Sequence, residues 1–372
     1  MNKYTFDFHL FSGEDAHQIY PDADFNLNPN WTGQRNGVGT YTQTNWANYS
    51  GNDISAEMKT FYDKALIRLA EPNLIHDQFG QKRPIPAGNG KTIEFRRFNP
   101  LPAVKGDRAL VEGITPTGQN YGVANTTATV NQYGGYITTT DMLNLAAFDN
   151  TMAEILKLLG SQAGRISDIV TRDELVTYGA NVMYAGSANG RKDDTNITGL
   201  TAADLITIED IKKAVRFLRR NNAETINGDY VAIVHPDIAY DLMNDSEWID
   251  ANQYAGSKRI FEGEIGKMYG VRFVESTQAK IWKDSSCPSI TGGYLPVYAT
   301  LVLGANAYGV TSIGGGGIAT IVKQLGSGGT ADPLNQRATV GWKLNKAAKV
   351  LVDAYMVRIE SASSYGSLAE GN

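Results

Sequence analysis

The sequence predicts an α+β chain whose mixed core carries extensions that cannot bury themselves. Three observations lead there. An apolar-periodic run from Thr151 is far longer than an ordinary helix, and residues 205–311 alternate between helical and strand texture. Two further stretches, residues 1–52 and the connection between strands near residues 98 and 128, carry many apolar side chains but no period with which to pack them. At 372 residues, 42% hydrophobic and 20% charged, the chain is globular in composition and long enough for two or three packing units.

Residues 1–52 hold Phe6, Phe8, Phe11, Phe25, Trp31 and Trp46 among Asn, Asp, Gly and Thr. Solvated tails are poor in aromatics, so this segment is expected to lie as an arm against another surface. Residues 53–70 put Ile54, Met58, Phe61, Ala65 and Leu69 on one stripe of a helix, and Pro72 ends it. Residues 92–98 alternate Ile93 and Phe95 against Thr92, Glu94 and Arg96, the pattern of a half-buried strand. Its partner is expected in residues 128–140. The 29 residues between them contain Pro100, Pro102 and Pro116, and expose Leu101, Val104, Leu110, Val111 and Ile114 unless another molecule covers them.

Thr151 and Glu154 form a capping box that opens the long helix. Met152, Ile155, Leu159, Ile166, Ile169, Val170 and Val176 make its apolar face, and Asp168 and Arg172 are assigned to its polar side. The pattern extends to about Tyr184, roughly 50 Å at 1.5 Å per residue. Gly160 and Gly164 read as a place of close packing, since Lys157 and Arg165 exclude a membrane dimer. Next come a helix at 208–221, a buried strand at 230–234 and a helix at 237–243 with Pro236 in its first position. A short helix at 262–268 is expected to lead into the strands VRFVES and YATLVLG. Glycines at 314–317 and 326–329 punctuate the chain. Two strand-like runs, ATVGWKL and KVLVDAYMVRIE, joined at Asn345-Lys346, close it.

Catalytic chemistry is not visible. GNGKT lacks the first glycine of a phosphate loop: Ile85 stands there between Pro84 and Pro86, so the stretch is a turn before a strand. His9, His17, His76 and His235 have no ligand spacing, and a single cysteine, Cys287, excludes an intrachain disulfide and reads as a small buried apolar residue of a reducing compartment. His235-Pro-Asp237 is explained by the start of a helix. No cofactor and no metal is expected. A net charge of −5 and a pI near 5.5 exclude a protein whose main task is gripping phosphate backbone. The N-terminus lacks the pattern of a secretory signal, and no apolar run is long enough to span a membrane.

Charge is uneven along the chain. Residues 1–75 hold five basic and nine acidic side chains, a balance of −4; residues 76–110 hold seven and three, a balance of +4. Arg83, Lys91, Arg96, Arg97 and Arg108 fall in the second block. Two solvated faces explain this, and so does an acidic arm of one copy meeting the basic hairpin of another.

The segments NLIHDQFGQKRPIPAGNGKTIEFRRFNPLP, LVEGITPTGQ, QYGGYITTTD, RDELVTYGANVMYAG, GEIGKMYGVRFVES, PVYATLVLGANAYGV and DPLNQRATVGWK resemble the major capsid proteins of tailed bacteriophages, in the N-four-type podovirus group. The likeness runs from about residue 70 to 362. It implies the HK-ninety-seven-type capsid fold: an N-terminal arm (1–55), a helix and connection (56–90), an extended E-loop hairpin (91–140) and a peripheral domain with a spine helix (141–199). An axial α/β domain (200–310) and a return to the peripheral sheet and C-terminus (311–372) follow. It also implies a structural protein of the virion, self-assembling in the host cytoplasm into hexamers and pentamers of an icosahedral shell. The shell encloses double-stranded DNA touched without sequence specificity, with decoration, scaffolding and portal proteins as further partners. Under that resemblance the interface candidates are Phe6, Phe8, Phe11, Trp31 and Trp46 on the arm and Arg83, Lys91, Arg96, Arg97, Leu101, Val104, Arg108, Leu110, Val111 and Ile114 around the hairpin. The same architecture also fits an encapsulin-like compartment shell, which needs an interior dock for cargo. A cytosolic α/β enzyme built on residues 200–310 is the reading from another class.

Overall fold

The computed structural model describes residues 64, 66, 74–85, 91–98, 101, 112–115, 118, 120–141, 151–193, 197–249, 266–291, 293–312, 318–327, 332–366 and 371–372. All belong to the larger of two units of the chain, Ile54–Asn372. In chain order the first strands are β1 (Gln81–Arg83), β2 (Thr92–Phe98), β3 (Val123–Thr129), β4 (Asn131–Thr140) and β5 (Val182–Tyr184). Then come β6 (Tyr230–Val234), β7 (Lys267–Met268), β8 (Val271–Glu275), β9 (Ile281–Trp282), β10 (Ser289–Ile290) and β11 (Gly293–Tyr294). The last are β12 (Val297–Leu303), β13 (Tyr308–Thr311), β14 (Ile318–Lys323), β15 (Arg337–Lys346), β16 (Ala348–Val350) and β17 (Met356–Ser361). The helices are α1 (Thr151–Tyr178), α2 (Ile208–Arg220) and α3 (Pro236–Met243).

A mixed sheet in the order β5-β17-β12-β6-β8-β7 forms the main body, with β9 also paired to β12. The strand YVAIV is buried at every position because both faces of this sheet are covered. Tyr230, Ala232 and Val234 face Ile208, Ile211, Ala214 and Leu218 of α2 and Ile238 and Leu242 of α3. Val231 and Ile233 face the other way, onto Leu175 and Val176 of α1 and onto Tyr308 and Val310. The other half of α1 builds a second core. Ile155, Leu156, Leu159 and Ala163 pack with Val340, Trp342 and Leu344 of the antiparallel sheet β14-β15-β4, and with Leu66. Gly135 is needed there, since a Cβ at that position would lie 2.9 Å from Gln162 Oε1, the atom to which Trp342 Nε1 donates. One helix thus serves two cores, and Gly160 and Gly164 are both buried along it, as close packing requires.

Several expectations need correction. Residues 128–140 are not one strand. Val130 divides them, β3 pairs with β2 from Thr92↔Thr129 to Phe98↔Val123, and β4 pairs along its whole length with β15. Alternation sets which side chains point inward but cannot name the ladder partner. Helix α1 stops at Tyr178 rather than near Tyr184. The Gly179 N–H closes the last turn on the Leu175 carbonyl, and Val182–Tyr184 instead join β17 in parallel. Asp168 and Arg172 are not on a polar face; both are buried. Lys267–Met268 is a strand against β8, not the end of a helix. In the last run, β15 continues through Lys346, and a 3-10 turn at Asp353–Tyr355 separates β16 from β17. Of the helix expected at 53–70, Lys64 and Leu66 are described as helical, and the buried residue is Leu66, outside the expected stripe. Phe6, Phe8, Phe11, Trp31, Trp46, Val104, Arg108, Leu110 and Val111 lie outside the described residues, as do residues 262–265, 314–317 and 328–329.

Leu175 is buried between α1 and the main sheet, whereas Leu158 is 64% exposed on the same helix. Leu175→Ala is expected to cost about 2–5 kcal/mol through lost burial and the cavity left behind. Leu158→Ala should change stability by less than about 0.5 kcal/mol. Denaturant unfolding of the unassembled protein measures both.

Candidate functional site: a clamped hairpin with an uncovered end

The hairpin β2–β3 is held only at its root. Ile93 and Phe95 are buried with Ala128 and Ala347, and Ile85, Val130 and Leu351 pack around them. Gly309 on β13 makes the space: a Cβ there would stand 2.3 Å from the Phe95 ring. Beyond Phe95 the alternation ends, and Arg96, Arg97 and Phe98 are all exposed. Phe98 and Tyr121 lie across the strand pair with ring centroids 5.9 Å apart, yet remain 67% and 70% exposed. Leu101, Ile114 and Val123 are exposed as well. Exposed apolar groups normally scatter singly, and this many fall on one excursion.

The sequence-derived candidates divide accordingly. Arg83 is half-buried in β1, which pairs in parallel with β13. Lys91 is exposed at the foot of β2, where its carbonyl accepts from the Val130 N–H. Arg96 and Arg97 line a cleft of about 290 Å³ between the hairpin and the body, with Gln81, Phe98, Glu224 and Asn306 among its walls. Arg96 also meets Glu94 at 3.1 Å on the surface, a pair of small energetic weight. Leu101 and Ile114 belong to the uncovered end.

What sequence reasoning missed is the polar cluster that fixes the hairpin's base to the spine of the molecule. Asp77 is buried; it accepts from Ser167 at 3.0 Å, from Thr171 at 2.5 Å and from the Lys346 ammonium at 2.5 Å. Asp168, fully buried, accepts from the His76 backbone N–H and from its Nδ1, both at 2.6 Å. The Tyr308 hydroxyl donates to the His76 carbonyl. The Lys346 ammonium is thus paired with the Asp77 carboxylate in the interior, and Asp168 is paired with His76 beside it. Burial depresses the Lys346 pKa, with Asp77 pulling it back up. Burial, reinforced by Asp77 and Asp168, pushes the Tyr308 hydroxyl well above its ordinary value. The only sequence signal was a polar patch, Ser167-Asp168 and Thr171-Arg172, repeating at helical spacing within an apolar helix.

A second buried acid, Glu360 on β17, is held by both forks of Arg191 at 2.6 and 2.7 Å and by Arg358 at 2.9 Å. Both guanidiniums stack on Trp282. This fixes the segment after α1 onto the sheet. His235 accepts from the Asp237 N–H and caps α3, as its place before Pro236 implies. Cys287 is fully buried. Among the described residues there is no cluster fit to hold a metal ion, and no helix long and apolar enough to cross a membrane.

Residues 138–349, more than half of the chain, match the family of phage capsid proteins. The chain belongs to that family. No curated protein matches the chain. Solved capsids share the architecture of this capsid protein. The capsid of Ralstonia phage GP4 superposes with a TM-score of 0.58 at 16% identity, covering 77% of this chain and 87% of its own. The capsid of cyanophage P-SCSP1u gives 0.56 at 16% identity, covering 92% and 100%. That of Helicobacter pylori bacteriophage KHP30 gives 0.54 at 11%, covering 75% and 87%. The fold is the HK-ninety-seven type, as the resemblance implied, and the chain is a phage capsid protein.

Removing one partner of the buried cluster should be far worse than removing a surface pair. Asp77→Ala leaves the Lys346 ammonium buried and uncompensated, and is expected to cost about 3–5 kcal/mol. Tyr308 supplies a pH test. Unfolded tyrosine ionises near pH 10, whereas the folded group holds its proton, so above that pH proton release favours unfolding and stability falls. Lys346, with its lowered pKa, acts in the opposite sense below about pH 10. The difference between wild type and Tyr308→Phe therefore isolates the tyrosine. The variant should be less stable at pH 7 by roughly 1–3 kcal/mol, from the unsatisfied His76 carbonyl, and should lose less stability between pH 9 and 11. A parallel loss in both proteins would show that Tyr308 ionises normally.

Proposed function

We propose that the outer end of the hairpin and the acidic N-terminal segment of this capsid protein are buried only on neighbouring copies, and that this mutual covering closes hexamers and pentamers of the shell. The observation that carries the reading is the contrast along β2: Phe95 is locked under Gly309 while Phe98, three residues on, stands open with Leu101, Ile114 and Tyr121. A clamped root aims the excursion, and an uncovered end needs a surface to complete it. Residues 91–140 are then the E-loop region, with β2 and β3 its paired arms and β4 its return into the sheet. Helix α1 is the spine, residues 200–310 the axial domain, residues 311–372 the return to the peripheral sheet, and residues 1–55 the arm, with 56–90 connecting arm to hairpin. Each contact need only be modest, because every copy meets several neighbours at once.

In this reading the protein is non-catalytic and sits in the virion of an N-four-type podovirus after assembly in the host cytoplasm. Scaffolding, portal and decoration proteins meet the same shell, and packaged double-stranded DNA is touched without sequence preference.

Replacing residues 99–122 by a two-residue Asn-Gly turn between Phe98 and Val123 keeps the strand pairing and the buried root. The variant should stay folded and soluble with an unfolding midpoint close to wild type, yet form no closed shells by light scattering or negative-stain imaging. Normal particles would refute the reading.

A further inference from the structure

The 13-residue helix α2, IEDIKKAVRFLRR, carries five cations, and they divide by chemistry. Both lysines are neutralised within the chain. Lys212 meets Glu247 at 2.5 Å, and Lys213 meets Asp210 at 3.0 Å and Glu209 at 3.7 Å. Arg216, Arg219 and Arg220 are exposed, and among the described residues no carboxylate faces any of them. Positions 216, 219 and 220 share one helix face. With Lys212, Val215 and Tyr269 they line an open hollow of about 590 Å³.

Tyr269 stands beside the arginines because it lies in the tight turn between β7 and β8. Met268 pairs with Val271, so Tyr269 and Gly270 are the two loop residues and both take positive φ, +51° and +77°, as such a turn requires. The Tyr269 ring lies under the Lys212 ammonium at 4.5 Å, and Gly270 leaves room for Arg219, whose Nη2 would be 3.3 Å from a Cβ there. Favourable placement at a helix C-terminus accounts for cations in the last turn, but not for Arg216 a turn earlier.

We propose that this arginine-lined hollow is a sequence-independent binding site for the phosphate backbone of double-stranded DNA. The planar guanidinium fork matches phosphate oxygens better than an ammonium does. In a chain of net charge −5, general attraction to DNA is absent, so contact has to be confined to a local cationic site. Three arginines in a row on a rigid helix call for a regular anionic array. A duplex supplies one at every register, whereas a neighbouring copy would need three unpaired acids at matched spacing, and the acids beside this helix, Glu209, Asp210 and Glu247, are already engaged. The site rests on the proposed shell function but not on the hairpin.

The test uses the full-length protein, short duplex DNA of arbitrary sequence and polyglutamate as an acidic-protein control, read by fluorescence anisotropy against salt. Three phosphate contacts predict a slope of log affinity on log salt of about −2.7, hence about 40-fold weaker binding for a fourfold rise in salt. Arg216→Gln with Arg219→Gln and Arg220→Gln should abolish that slope while shells still form. The triple Arg→Lys variant, charge kept, should retain most of it, which separates lost charge from a misfolded helix. Wild-type binding by the Gln variant would overturn the site. So would polyglutamate binding as tightly as DNA, or loss of shells with DNA binding unchanged, either of which would make the hollow a protein contact. Failure of wild type to form shells at all would count against the capsid assembly reading and leave the DNA result to be judged by itself.

Discussion

The buried polar cluster around Asp77 and Asp168 is the constraint on which the rest of the molecule depends. It sits at the middle of α1, between the half that packs on the β14-β15-β4 sheet and the half that packs on the main sheet. Apolar packing alone does not fix the rotation of a long helix between two cores, since hydrophobic contact is non-directional. Ser167, Asp168 and Thr171 fix it by bonding to His76, Asp77 and, through Asp77, to Lys346 at the end of β15. Buried charge is poor evidence for stability, because desolvation offsets the attraction. What the cluster contributes is position: it ties four separate stretches of chain to a single geometry.

That positioning reaches the hairpin directly. His76 and Asp77 open the segment that becomes β1, β1 pairs with β13, and β13 contributes Gly309, over which Phe95 closes. Tyr308 joins the same path, its hydroxyl on the His76 carbonyl and its ring against Gly80. A short chain of packed groups thus leads from the interior of the spine to the foot of the excursion. Burial along β2 ends at Phe95, while its pairing with β3 continues to Phe98.

The main sheet illustrates a different economy. Strand β6 takes the same five apolar residues and divides them between two cores, three toward α2 and α3 and two toward α1. The consequence for function is that one side of the main sheet is a helix layer whose outer face is free to carry charge. On α2 that face is arginine, while its lysines are spent on local ion pairs.

Much of the fold was legible in the sequence because local rules decided it. The strand at 230–234 and the helices at 208–220 and 236–243 follow from apolar runs and Pro236, and β2 follows from the alternation of Ile93 and Phe95. The exposure of Leu101 and Ile114 was legible too, since apolar residues among prolines and glycines have no period with which to pack. Long-range choices were not. Nothing local says that β3 rather than β4 pairs with β2, that residues 182–184 leave the helix to join β17, or that Asp168 and Arg172 point inward. Those outcomes hinge on distant partners, Asp168 on His76, Val182 on Arg358 and Asn131 on Lys346. Period and propensity fix which way a side chain faces relative to its own backbone; only the assembled tertiary structure determines what it faces.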